Sequence, residues 1–163
     1  MEEKVQKSIV YDVSEQEKIL ILKMELHDLI VSFITSIIWE FGSRGVEFCK
    51  ELIKNRLSAL LMGYKQFFKI SSNDAVSIAS LIVSRRRLIG EDCYVLKLDS
   101  KKCEADIKNC PAIKTKNQIE ICEIFSGGEN AAAKMINPNA TVTCRRLTTK
   151  KRPQCRLIIR IED

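Results

Sequence analysis

The chain has 163 residues, 45% of them hydrophobic and 29% charged, with only 6 glycines and 3 prolines. That length suffices to bury a core without staples, and that composition excludes large-scale disorder. The net charge of +6 comes wholly from residues 93–163, which carry 14 basic against 8 acidic side chains, while residues 1–92 balance at 13 of each.

No membrane segment is expected. The longest apolar stretch, Leu29–Phe41, holds 13 residues and includes Ser32, Thr35, Ser36 and Glu40, short of the ~20 that span a bilayer. The opening MEEKVQKSIV is charged and lacks the apolar run of a signal peptide, which predicts a cytoplasmic chain. The Ile-, Lys- and Glu-rich composition would suit a hyperthermophile.

The N-terminal half reads helical. SEQE forms a capping box, with Ser14 at the N-cap and Glu17 three residues on. Apolar residues then recur at helical spacing through Ile19, Leu22, Leu26, Leu29, Ile30, Phe33, Ile37 and Ile38, and the FGSRG segment ends the helix. A second helix is predicted over Gly45–Phe68. SSND (Ser71–Asp74) caps a third, from about Ala75 to Arg85.

The period then changes to two. DCYVLKLDSKKCEADIKNC reads as two strands around a turn at Asp99–Ser100, with Cys103, Ala105 and Ile107 on the buried face. A helix follows from an Asn117 N-cap toward Met135, kinked or split at Gly127–Gly128. NPNA leads into two final strands.

The predicted fold is α+β: N-terminal helices packed on an antiparallel four-stranded sheet interrupted by one helix. Residues 1–163 are read as a single ligand-binding domain, with a helical half at 14–90 and a sheet-rich, metal-binding half at 91–163.

Seven cysteines are many for this length. In a reducing compartment, clustered thiols point to a metal before disulfides. Val142 and Cys144 share one strand face, as do Cys155, Leu157, Ile159 and Ile161, so both thiols sit on apolar faces. A tight turn near Thr149–Lys150 would set Cys144 opposite Cys155.

The C-terminal half resembles the 4-vinyl-reductase domain, a small-molecule-binding module of archaeal proteins and aromatic-sensing bacterial regulators. That family lies in a wider α+β group with haem-based nitric-oxide sensors and a Golgi-transport lipid-binding subunit. The match rests on the order of elements and on Cys122, Cys144 twenty-two residues later, and Cys155 followed by RLIIRI. Family members with a metal site use a helix cysteine, an acidic residue or cysteine on the penultimate strand, another cysteine nearby, and a cysteine opening the last strand. Cys122, Cys144 and Cys155 match three of these positions. Leu147 occupies the fourth, and KKRPQ replaces the usual Gly-Asp turn. A weaker likeness, through NCP (Asn109–Pro111) and Cys122, is to archaeal relatives of aminothiazoline-carboxylate hydrolases.

The resemblance implies a structural zinc on Cys122, Cys144 and Cys155. Cys110 is the choice for fourth ligand and Cys103 the reserve, since four thiolates close a tetrahedral site. The ordinary alternative is that these are small buried hydrophobes; Cys49 and Cys93 are read that way. His27, the sole histidine, is read as a surface or capping residue, which excludes a His-based metal site or a Ser–His–Asp triad.

An apolar or aromatic ligand is expected between helices and sheet, lined by Phe33, Ile37, Phe41, Phe48, Tyr64, Phe67 and Phe68, with Trp39 nearby. Exposed aromatics there could instead form a homodimer face. The expected function is a small-molecule binding module with zinc and no catalysis of its own. A metal- or thiol-dependent reductase or hydrolase is the first alternative. A nucleic-acid-binding protein using SRRRL (Ser84–Leu88) or the basic hairpin is the second, disfavoured because neither patch interleaves aromatics.

Overall fold

A computed structural model describes residues 14–108, 110, 112, 115, 117–147 and 154–162. Its elements run α1 (Glu15–Phe41), α2 (Ser43–Phe67), α3 (Ala75–Leu88), β1 (Asp92–Leu98), β2 (Lys102–Lys108), α4 (Gln118–Ile136), β3 (Ala140–Leu147) and β4 (Gln154–Ile161). The fold is α+β, with α3 and α4 packed on one antiparallel sheet of order β1-β2-β4-β3 and α1 and α2 packed in turn on α4.

α1 begins where the capping box predicts. The Glu17 amide donates to Ser14 Oγ at 3.3 Å, and the Ser14 amide donates to Glu17 Oε2 at 2.9 Å. Gly42 then takes φ +56° to turn the chain directly into α2. A Cβ on Gly45 would stand 2.5 Å from the Ile37 carbonyl oxygen, so only glycine lets the two helices start this close.

α3 starts at Asp74, whose carboxylate accepts the Ser77 amide at 2.8 Å. It runs a turn past the expected end. Arg86 falls on the same helical stripe as Ile78 and Ile82, and its side chain is buried with them. α4 is continuous through Gly127–Gly128 and is not split, and Asn117 occupies its N-cap without a side-chain cap bond. A Cβ on Gly128 would come within 3.0 Å of Leu57 Cδ2, so this glycine seats α2 against α4.

Two apolar clusters result. One joins α3, the C-terminal part of α4 and the sheet through residues such as Ile78, Ile82, Ile107, Leu157 and Ile159. The other joins α1, α2 and the start of α4 through Val31, Ile34, Ile38, Cys49, Ile121 and Ile124. Each such fully buried aliphatic side chain contributes roughly 1.5–3 kcal/mol of transfer free energy. β2 alternates as expected, with Cys103, Ala105 and Ile107 inward. β1 is an edge strand, exposed except at Cys93 and broken by an irregularity between Val95 and Lys97, which blunts the edge against further pairing.

Candidate functional site: a thiol cluster beside a buried ion-pair network

The terminal hairpin differs from expectation in register. Cys144 pairs with Leu157, and Arg146 pairs with Cys155. The two cysteines are therefore diagonal rather than opposite. Because the offset is two residues, both still lie on one face of the sheet. The tip predicted at Thr149–Lys150 lies outside the described residues.

α4 brings Cys122 over this face. Cys155 is buried, while Cys110, Cys122 and Cys144 are half-buried. Cys122 and Cys144 lie beside Cys155, and their influence pulls its pKa below the ordinary thiol range, helped by Arg86 and Arg146. The neighbouring Cys155, then burial, pushes Cys122 and Cys144 well above it. Cys110, pushed up to about 12 by burial and then by the Glu91 charge, lies close enough to act on Cys122.

Cys103 is elsewhere. It pairs with Ile159, four residues along β4 from Cys155, and donates to the Asp99 carbonyl at 3.4 Å. That separation is roughly 13 Å at strand spacing, too far to share an ion with Cys155. Among the described residues, no group of three or more His, Cys, Asp or Glu side chains stands in the arrangement of a metal centre.

Behind the thiols lies a charged network that the sequence reading did not foresee. Arg86 donates from Nε and Nη2 to the two oxygens of Glu129, both at 2.8 Å, and from Nη1 to Glu91. Glu129 is fully buried; Arg86 and Glu91 are each 5% exposed. Arg85 approaches Glu129 at 3.6 Å, and His27 approaches Glu91 at 3.8 Å. Burial alone would lower the Arg86 pKa, but the Glu129 and Glu91 charges outweigh it and hold it well above the usual guanidinium value. The Arg86 charge also acts on all four nearby thiols.

His27 is thus an interior residue at 8% exposure, not a surface cap. Helical spacing carried the signal: it stands in one stripe with Val31, Ile34 and Ile38. Glu129 likewise lies beside Gly128 and Ala132 on the buried side of α4.

A small cavity of about 20 Å³, the size of one water, lies between this network and the thiols. On the outer side, a cleft of about 240 Å³ opens between α4 and the terminal strands. Cys122, Cys144 and Cys155 are among its lining, with Ile119, Ser126 and Arg146 at its edges. The Arg146 guanidinium donates to Gln118 Oε1 at 2.9 Å and bridges strand and helix.

The expected aromatic pocket is not among the cavities described. Phe33, Phe41, Phe48 and Phe67 are 59–78% exposed, and Trp39 is 80% exposed. Phe68 packs edge-on against Phe67 and tilted against Tyr64 at the end of α2. Ile37 and Tyr64 are half-buried against the two cores. Within SRRRL, Arg86 is committed inward to the carboxylates and Arg87 to the Cys93 carbonyl at 2.7 Å, while the buried Arg85 Nε has no hydrogen-bond partner among the described residues. In the hairpin, Arg156 is paired with Asp106 at 2.9 Å, and Lys150, Lys151 and Arg152 lie outside the described residues.

With this geometry in hand, the chain was compared with known proteins. A trafficking protein particle complex subunit 3 from Naegleria fowleri, covalently bound to palmitic acid, superposes with a TM-score of 0.57 at 13% identity. The superposition covers 88% of this chain and 96% of that one. The two chains share a fold. That fold is of the α+β class expected from the sequence. No protein-family model matches, and no curated protein matches. No helix among the described residues is long and apolar enough to cross a membrane.

Proposed function

We propose that this protein is a binding module for an apolar small molecule, an aromatic or long-chain acid, seated in the cleft between α4 and the terminal strands. The fold shared with a palmitate-carrying trafficking subunit carries this reading. The cleft supports it, since Ile119 offers an apolar wall and Arg146 a cation for a carboxylate. Its volume suits an aromatic ring or the end of an acyl chain rather than the roughly 300–1,000 Å³ of a full drug-sized site. Within the wider group, the cysteine positions favour kinship with the 4-vinyl-reductase domain.

The reading includes a structural zinc on Cys122, Cys144 and Cys155, with Cys110 as fourth ligand. Donor chemistry supports it: thiolates are soft ligands, and binding the ion would release the thiol protons. The sulfurs would have to shift from their present positions into a tetrahedron. Zinc there would tie the hairpin to α4.

Native mass spectrometry of the purified chain, alone and with added palmitate or an aromatic acid, tests both parts. The expected result is one acid and one zinc per chain, with acid affinity lost when Ile119→Trp fills the cleft. Full folding without either would end the proposal.

A further inference from the structure

α1 carries two apolar stripes, and its own domain covers one. His27, Val31, Ile34 and Ile38 are buried against the rest of the fold. Ile19, Leu22, Leu26, Leu29 and Phe33 are 51%, 63%, 57%, 66% and 63% exposed. These five recur at spacings of three and four, the a and d positions of two heptads. At 3.6 residues per turn, this second stripe is centred roughly 130° from the buried one. Ser36 and Glu40 end it.

The N-terminal part of the helix has no core of its own. Among the described residues none before His27 is buried, so over Glu15–Leu26, about 18 Å of helix, no side chain is buried against the domain. With Leu20, Ile21, Met24 and Ile30, nine large apolar side chains between Ile19 and Phe33 are 39–66% exposed. The five stripe residues with Ile30 at their flank expose on the order of 700 Å² on one face, above most patches on monomers and close to one side of a standard interface.

We infer that the α1 stripe is a dimer seam, occupied by α1 of a second copy of this chain running antiparallel to it. A two-fold axis near residues 27 and 28 sets Leu26 against the partner's Leu29, and Leu22 against the partner's Phe33. Each projecting segment then covers the exposed stripe on the domain-bound half of its partner, so both uncovered regions are answered by one operation. Charge selects the direction. A parallel pair would place Lys18 beside the partner's Lys23, whereas the antiparallel pair flanks Glu25 with Ser32 and Lys23 with Ile30. Charge also argues against a bilayer as the occupant. Glu15, Glu17, Glu25, Asp28 and Glu40 outnumber Lys18 and Lys23 on this helix, the wrong sign for an anionic surface.

Sedimentation velocity of the full chain over a range of micromolar concentrations tests the seam, with cosedimentation on phosphatidylcholine/phosphatidylserine vesicles as the second arm. The expected species is twice the 18.6 kDa chain mass. Leu26→Glu with Leu29→Glu should weaken dimerisation by roughly a hundredfold or more. Both positions are exposed in the single chain, so circular dichroism should show helix content retained. A wild-type monomer, a dimer indifferent to these substitutions, or vesicle binding by a monomer would each overturn the assignment. The outcome is independent of whether the cleft holds an acid or the thiols hold zinc.

Discussion

Arg86 and Glu129, 43 residues apart, meet through two parallel hydrogen bonds of 2.8 Å in the interior of the molecule. A second carboxylate, Glu91, takes the remaining side of the guanidinium. This pair joins α3 to α4 directly behind the thiol cluster.

Glu129→Gln should destabilise the fold by about 3–5 kcal/mol, because it removes a charge partner without restoring water to Arg86. Urea denaturation followed by circular dichroism measures this. Glu15→Gln, which touches only the exposed pair with Lys18, should leave the midpoint unchanged. Equal effects of the two substitutions would mean that the interior pair contributes no more than a surface one.

His27 gives the fold a pH dependence of definite sign. Burial lowers its pKa, and the Glu91 charge only partly restores it. The unfolded chain therefore takes up a proton near the reference value of about 6.5, while the folded chain does not. Stability is complete above that pH and is lost as pH falls below it toward the folded pKa. His27→Gln should flatten the curve between about pH 7.5 and 5 relative to wild type. Parallel wild-type and variant curves would show that the imidazole stays as accessible to protons as in the unfolded chain.

Gly127 and Gly128 should respond to alanine with opposite signs. A Cβ at Gly127 meets nothing within 4 Å, whereas one at Gly128 meets Leu57 at 3.0 Å and Ile53 at 3.2 Å. Gly127→Ala should stabilise α4 by about 0.5–1 kcal/mol. Gly128→Ala should cost about 1–3 kcal/mol by forcing α2 and α4 apart. Thermal melts of the two variants distinguish them.

The cysteines should separate into two classes. Cys155→Ser and Cys144→Ser should abolish the proposed zinc, read by metal analysis of the purified chain. Cys103→Ser should leave it intact, since Cys103 sits roughly 13 Å along the sheet. Loss of metal in the Cys103 variant, or retention in the Cys155 variant, would relocate the site.

The sequence by itself determined the elements and the inward faces of the cysteines. The capping box at Ser14, the helical spacing of Val31, Ile34 and Ile38, and the two-residue alternation of Cys103, Ala105 and Ile107 are local patterns, written within a turn or a strand. Tertiary structure alone decided the partners. Strand register placed Cys144 across from Leu157 instead of Cys155, because pairing partners are chosen across strands, and periodicity within one strand cannot see them. Helical spacing put Arg86 and His27 on inward stripes, but only the tertiary structure supplied what lets them stay buried, Glu129 from α4 for Arg86 and Glu91 from beyond α3 for His27. Apolar spacing says that a face can be covered, and the packing of the remaining helices decides which face is.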